Sequence, residues 1–160
     1  MDHVDHIIEQ WRRERPDLDP SPMAVIGRLS RAAASVTAEL AVTFTRHGID
    51  ASVFDVLATL RRQGPPYRLA PAELADASMI TTSAVAQRLN RLEALGFVTR
   101  LPHPDDGRGK LVELTPTGRD LVDRALPDHL ATEEALLQHL DAEERMALTE
   151  LLSRLDPASR

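Results

Sequence analysis

The chain has 160 residues, no cysteine and few aromatic side chains: one Trp, one Tyr and three Phe. Without cysteine there is no thiol nucleophile, no thiolate metal ligand and no thiol-based redox sensor. No apolar run approaches the roughly 18 residues that predict a membrane span, and the polar N-terminus lacks the apolar core of a signal peptide. We therefore expect a soluble, cytoplasmic protein with no membrane partner, long enough to bury a core without covalent staples.

Lysine is almost absent too, because Lys110 is the single lysine of the sequence, which contains 18 arginines. The formal net charge of −6 argues against a simple basic nucleic-acid binder. The charge is unevenly spread, however. Residues 61–120 carry nine basic and seven acidic side chains, a net charge of +2, whereas the remainder carries ten basic and 18 acidic ones, a net charge of −8. Because arginine suits bidentate pairing, local and specific anion recognition stays open.

Hydrophobic periodicity, together with proline and glycine punctuation, predicts a mainly α fold with a small β-hairpin. The pattern predicts four regions along the chain. They are an extra N-terminal helix at 1–15, a long scaffold helix at 20–50, a region of short helices and the hairpin at 51–118, here called the head, and C-terminal helices at 119–160. Pro127 is expected to break or kink the helix that opens at Thr115-Pro116, because proline lacks the backbone N–H that an interior helix position needs.

The most informative pattern lies inside the head. A short helix at Ala70–Met79, a turn and an amphipathic helix at Ser83–Leu95 precede two alternating segments, Phe97–Leu101 and Leu111–Leu114. This order is typical of a winged helix–turn–helix, in which the second helix enters the major groove of DNA. The alternative is an ordinary αα-hairpin with a solvated polar face.

The second helix of this motif separates into two faces on a helical wheel. Val85, Leu89 and Leu92 form the inward stripe. The outward residue types can recognise base edges in the major groove, and they are Ser83, Gln87, Asn90 and Arg91. The residues suited to phosphate contacts are Thr81 and Thr82 at the helix start, and Arg108 and Lys110 in the glycine-containing loop between the strands.

Other chemistries find little support. The sequence contains no nucleotide-binding glycine motif, no HExxH and no Ser–His–Asp order that would mark an enzyme. His3 and His6 lie one helical turn apart and could bind a metal, but with Asp2 and Asp5 beside them a frayed, solvated terminus is the favoured explanation. We expect no catalysis, no cofactor and no metal site.

The chain resembles the MarR family of winged-helix transcriptional regulators. The resemblance is carried by RLNRLEALGFVTR at 88–100, by PDDGR at 104–108 and by LTPTG at 114–118. Asp106 and Arg108 occupy the Asp–Arg positions of the family's wing tip. The resemblance implies a repressor that binds a pseudo-palindromic operator as a homodimer, with the first and last helices interleaved. Purely intramolecular packing of those helices is the alternative.

A second cluster indicates a ligand pocket. Asp55 interrupts the apolar run Val53–Leu57, and Arg88 lies about 60° from the centre of the inward stripe, so that its side chain can reach an interior carboxylate. Arg100 ends a predicted strand and can also turn inward. A small anion could compete for such arginines, whereas a fixed salt bridge between Asp55 and Arg88 would be structural only.

Trp11, on the extra helix, adds a resemblance to the urate-responsive subgroup of the MarR family. That resemblance implies that Trp11, Asp55, Arg88 and Arg100 line a pocket for urate, a related purine or another organic acid. Binding would release the operator DNA. In the competing interpretation Trp11 is packing, and the protein is a winged-helix dimer without a ligand switch, serving as an architectural DNA-binding or protein-interaction module.

Overall fold

The computed structural model describes residues 1–78, 82–102 and 109–155, with the backbone alone for 82–86. The described chain is mainly helical with one small antiparallel sheet, which confirms the predicted fold class. The elements are α1 (His3–Glu14), α2 (Pro22–Arg46), α3 (Ala51–Arg62), β1 (Arg68–Leu69), α4 (Pro71–Ala77), α5 (Thr82–Ala94), β2 (Val98–Pro102), β3 (Lys110–Leu114), α6 (Pro116–Leu137) and α7 (Ala142–Leu155). Among the described residues, no helix is long and apolar enough to cross a membrane.

The chain divides into two compact units, residues 1–39 and 40–160. In the first unit, α1 begins with a capping box in which Asp2 and Asp5 satisfy each other's backbone N–H groups. Arg28 of α2 binds both carboxylates, at 2.8 Å from Asp2 and 2.7 Å from Asp5. Val4 of α1 is buried and packs where Gly27 leaves α2 without a side chain. The extra helix is therefore anchored to α2 by one apolar contact and one charge cluster.

The second unit is built around a core shared by α3, α4, α5, α6 and the sheet. The largest fully buried side chains are leucines and valines at helical or alternating spacing, including Leu57, Leu60, Leu74, Leu92 and Val112. Burying one such side chain stabilises a fold by about 1.5–3 kcal/mol. This core holds α5 with its polar face outward.

The boundary between α2 and α3 follows the turn residues. Gly48 adopts a positive φ of 71°, which ends α2 in the left-handed conformation that glycine tolerates best. Asp50 then caps α3, because its side chain accepts hydrogen bonds from the N–H groups of Ser52 and Val53. Glycine after a helix and aspartate before one are the residue types that these two positions favour.

The sheet contains one more strand than the sequence predicts. The strand order is β1-β3-β2, and all described pairings are antiparallel. β2 and β3 form the predicted hairpin, with Val98 opposite Leu114 and Pro102 opposite Lys110. β1 adds only Arg68 and Leu69 to the outer edge of β3. Two residues between proline-containing segments carry no readable alternation, so this strand forms through its long-range partner.

The prediction of a helix break at Pro127 is wrong. α6 runs from Pro116 to Leu137 with Pro127 inside it. A proline removes one backbone hydrogen bond, but Leu121, Val122 and Ala125 are buried in the core on the preceding turns. Tertiary packing therefore outweighs the local penalty, and the helix continues past Pro127 instead of breaking there.

The start of α6 is fixed to the start of the hairpin. The Thr115 hydroxyl donates to the carbonyl oxygens of Gly96 and Phe97, at 2.7 and 3.1 Å, and also accepts from the Gly118 N–H. A Cβ atom on Gly118 would overlap the carbonyl oxygen of Phe97. The helix can approach the hairpin this closely only because residue 118 is glycine.

Candidate nucleic-acid interface and ligand cavity

α4 and α5 form the helix–turn–helix, and α5 presents a polar face. Leu89 and Leu92 point into the core, whereas Gln87, Asn90 and Arg91 are exposed. The Arg91 side chain is 58% exposed. These three side chains are thus placed where an α5 lying in a major groove would meet base edges.

Polar contacts flank this exposed face on both sides. On one side, Arg91 Nη1 lies 2.6 Å from Oδ2 of Asp50, the residue that caps α3. On the other, Arg100 of β2 donates to Asn90 Oδ1 at 2.6 Å and pairs with Glu93 Oε2 at 3.2 Å. The exposed polar face of α5 is therefore tied to α3 and to the hairpin.

The Asp50 carboxyl is held in its charged form. Partial burial by itself would raise its pKa, but hydrogen bonds from the Ser52 hydroxyl and the Val53 N–H, with the contact to Arg91, outweigh that effect. Together they lower the pKa of Asp50 to about 2. The carboxylate therefore serves as a helix cap and as an ion-pair partner throughout the physiological pH range.

Among the remaining predicted DNA-binding residues, the structure describes the side chain of Lys110 alone. Lys110 is exposed where β3 begins. Thr81 and Arg108 lie outside the described residues, and for Thr82 and Ser83 only the backbone at the start of α5 is described. Their contacts to DNA stay predictions.

A cavity of about 880 Å³ lies within the second unit, among α3, α5, α6 and the end of α2. Asp55 and Arg88 both line it, so these two predicted ligand residues come together in the fold. The wall is mostly apolar, and its volume falls in the range of small-molecule sites. The described lining residues are Leu40, Phe44, Ala51, Ser52, Phe54, Asp55, Ala58, Arg61, Arg62, Arg88, Val122, Asp123, Leu126, His129, Leu130 and Glu133.

Three aromatic rings form one wall of this cavity, and sequence reasoning missed them. The ring centroids of Phe44 and Phe54 lie 4.7 Å apart. The His129 ring of α6 stacks on Phe44 at 5.5 Å and lies tilted at 4.7 Å from Phe54. The signal in the sequence was weak, because the three residues are far apart along the chain. Such a wall suits a flat ring.

The charged groups of the wall differ in how they are satisfied. Arg61 pairs with Asp123 at 2.8 Å, and His129 pairs with Glu133 at 3.1 Å. Two nitrogens of this wall, Nη1 of Arg88 and Nδ1 of His129, are buried and have no hydrogen-bond partner in the part of the chain that the structure describes. Of the two side chains, the guanidinium of Arg88 is always charged. Leaving a buried donor unpaired costs about 1–3 kcal/mol, and more for a charged group.

The other two members of the predicted ligand set are placed differently. Arg100 is not among the described residues that line the cavity, since its guanidinium is engaged with Asn90 and Glu93. Trp11 belongs to the first unit, where its side chain is 45% exposed. Their part in ligand binding stays a prediction.

Within residues 1–78, 82–102 and 109–155, no group of three or more His, Asp or Glu side chains is placed to hold an ion. His3 and His6 thus lack a third described ligand of that kind.

The fold and the exposed polar face of α5 define a winged helix–turn–helix DNA-binding protein. Residues 47–109 match the model of the MarR family. The chain is 40% identical over 153 residues to the HTH-type transcriptional regulator PecS of Dickeya dadantii, covering 96% of this chain and 92% of PecS. The chain belongs to the MarR family, and it is a transcriptional regulator that binds DNA, not an enzyme.

Solved structures of the family are similar as well. Sco3205 from Streptomyces coelicolor, a MarR family regulator solved in complex with DNA, superposes with a TM-score of 0.79 at 27% identity, covering 86% of this chain and 87% of that one. BpsR of Bordetella bronchiseptica, studied for the regulation of its DNA binding by 6-hydroxynicotinic acid, has a TM-score of 0.74 at 30% identity, with 82% and 91% covered.

Proposed function

We propose that the protein is a homodimeric repressor that binds a pseudo-palindromic operator and releases it when a small aromatic anion occupies the cavity. Urate, a related purine or another organic acid is the ligand class. The observation that carries this proposal is the cavity itself. It has a stacked aromatic wall and a cation, Arg88, on a face of α5 next to the one that presents Arg91.

The ligand class follows from what the wall lacks. Phe44 and Phe54 supply flat apolar surface, while Arg88 Nη1 is a buried donor with no described acceptor. A planar anion fits both needs, because its ring stacks and its oxygen offers the acceptor. BpsR, a protein of similar structure whose DNA binding is regulated by 6-hydroxynicotinic acid, supports the same chemistry.

The dimer is supported by apolar surface that one chain leaves uncovered. α7 has no buried residue, and Leu151 and Leu155 are 55% and 49% exposed. α2 exposes Val25 and Ile26 to a similar extent. Exposed apolar side chains along one helix, as on α7 and separately on α2, mark an interaction site. A second copy, covering the same helices by two-fold symmetry, is the partner we propose.

Operator binding follows from the dimer. Two α5 helices would enter successive major grooves, with half-sites about one helical turn apart on one face of the DNA. Gln87, Asn90 and Arg91, together with Ser83, would contact base edges, and Thr81, Thr82, Arg108 and Lys110 would contact the backbone.

The ligand proposal is tested by melting the full chain with and without urate, xanthine, salicylate and 6-hydroxynicotinate. A ligand at a hundred times its dissociation constant adds about 2.7 kcal/mol to the free energy of unfolding, which gives a clear shift. The same ligand should then lower the affinity for DNA selected from a random-sequence library, measured by fluorescence anisotropy. If no compound shifts the melting temperature or the DNA affinity, the protein is a winged-helix dimer without this switch.

The oligomeric state is tested separately by sedimentation of the free chain. We expect a dimer at micromolar concentration, and Leu151→Glu should shift it toward monomer because a charge would then enter the interface. A wild-type chain that sediments as a monomer, even when DNA is bound, would contradict the dimer.

A further inference from the structure

Asp50 connects the start of α3 to the exposed face of α5. Its Oδ1 accepts from the N–H groups of Ser52 and Val53, both at 3.0 Å, and from the Ser52 hydroxyl, and it thereby caps α3. Its Oδ2 accepts from Nη1 of Arg91 on the exposed face of α5. One carboxylate therefore uses one oxygen for the helix and the other for the recognition arginine.

We propose that Asp50 is a positioning residue for sequence recognition: it holds the Arg91 side chain in the orientation that reads a base edge. Asp50 need not touch DNA to do this. The inference rests on the proposed groove-facing role of Arg91, and the experiment below separates the two.

The geometry favours positioning over competition. Asp50 engages only Nη1, and no described residue bonds to Nε or Nη2 of Arg91. A guanidinium can use its Nε and Nη2 edge for a bidentate contact to the O6 and N7 atoms of guanine. Arg91 can therefore keep its bond to Asp50 while its outer edge reads a base.

Holding the side chain matters because a free arginine samples many rotamers. An exposed arginine loses much of its side-chain entropy when it is fixed on a partner. A bond to Asp50 restricts it before DNA arrives, so less entropy is lost on binding. The two carboxylate oxygens are themselves fixed by the start of α3, which makes the support rigid.

The negative charge of Asp50 and its contact with Arg91 predict opposite effects on operator affinity when Asp50 is replaced, so the inference can be tested. Removing a negative charge beside DNA should strengthen binding to every sequence, because Asp50 repels phosphates. Removing a positioning contact should weaken binding to the operator alone. Asp50→Asn suits the test, because its amide oxygen can keep the cap while its amide nitrogen faces Arg91 Nη1, and two donors cannot bond.

The experiment measures anisotropy of the full chain on selected operator DNA and on scrambled DNA of equal length. We expect Asp50→Asn to lower operator affinity by about 3- to 10-fold, and affinity for scrambled DNA to stay equal or rise. Glu134→Gln is the matched control, because it removes one negative charge from an arginine pair, Glu134 with Arg145, between α6 and α7. It should leave the ratio of the two affinities unchanged.

A double-mutant cycle then links Asp50 to Arg91. In the Arg91→Ala background, Asp50→Asn should have no further effect on the specificity ratio. Asp50→Ser, which also caps helices but is too short to reach Arg91, should reproduce the loss seen with Asn. These comparisons guard against a variant that merely misfolds, since each protein's melting temperature is recorded beside its affinities.

Two results would overturn the inference. One is an equal change on operator and scrambled DNA for Asp50→Asn, and the other is a rise in operator affinity, which would show that Asp50 competes with DNA for Arg91. If Arg91→Ala itself leaves operator affinity unchanged, the groove assignment fails, whatever Asp50 does.

Discussion

Arg88 and Arg91 lie three residues apart on α5, yet they meet opposite surroundings. Arg91 is exposed and holds a described partner, Asp50, at 2.6 Å. Arg88 lines the cavity, and its Nη1 is buried without a partner in the described chain. Solvent can screen the Arg91 pair, so its value is geometric. Arg88 gains little screening, so an incoming anion would change its energy strongly. One helix thus carries an exposed arginine that is ion-paired, Arg91, and a cavity-lining arginine with an unpartnered buried nitrogen, Arg88.

The largest expected effect is a loss of operator affinity that leaves ligand binding intact. Arg91→Ala should remove a bidentate base contact, which costs about 1–3 kcal/mol per half-site and about twice that for both halves of a dimer. Operator affinity measured by anisotropy should therefore collapse. The ligand-induced melting shift should survive, because Arg91 is not among the described residues of the cavity wall. A variant with wild-type operator affinity would remove Arg91 from the reading surface.

The next largest effect is a loss of ligand binding, expected when Arg88 in the cavity is replaced. Arg88→Met should abolish the shift of about 2.7 kcal/mol that saturating ligand produces. Without ligand, the variant should be more stable than wild type by about 1 kcal/mol, because a buried unpaired donor disappears and apolar volume remains. Thermal and urea unfolding measure both quantities.

Two outcomes would argue against this assignment of Arg88. A ligand shift of normal size in Arg88→Met would take the arginine out of the binding site. A large loss of stability in the ligand-free variant would mean that its guanidinium is structurally satisfied. Arg61→Met is the matched control on the same wall, since Arg61 already pairs with Asp123.

A smaller effect, of the order of 1 kcal/mol, concerns acid stability. The pKa of Asp50 is lowered from 3.8 to about 2. A group with a lowered folded-state pKa stabilises the fold above its unfolded pKa, so this contribution should be lost as pH falls from about 4 to about 2. The value is discounted because the Asp50 side chain is about half exposed.

Asp50→Asn should flatten this part of the stability profile. Urea unfolding at about pH 5 and about pH 3 would show it as a smaller difference for the variant than for wild type. An identical pH dependence in the two proteins would mean that Asp50 is not held by its cap and its ion pair.

The smallest expected effect tests whether Trp11 contributes to ligand binding. Trp11 is the single tryptophan, so its fluorescence reports on one site. If it joins the ligand set as the subgroup resemblance implies, ligand should quench that emission. Trp11→Phe should then lower the ligand shift by about 1 kcal/mol or less. Emission that ignores a ligand proven to bind would confine the site to the second unit.

The sequence predicts the helix–turn–helix, the hairpin and the outward face of α5 because each depends on local periodicity and turn chemistry. Contacts between distant segments were less accessible. The α6 helix through Pro127 depends on packing from other elements, and β1 depends on β3. Asp50 was readable as a cap, but its second bond to Arg91 crosses 41 positions of chain. The aromatic wall likewise joins α2, α3 and α6.

The close approach at Gly118 has a consequence for genetics. Gly118 lies neither on α5 nor among the described cavity residues, yet even one methyl group there would collide with the Phe97 carbonyl. Under the proposed repressor function, a mutant library selected for permanently derepressed cells should therefore yield substitutions at this position beside those at Arg91. Such isolates would be loss-of-folding alleles, recognisable by their low abundance in the cell, and their phenotype alone would imitate that of a lost DNA contact.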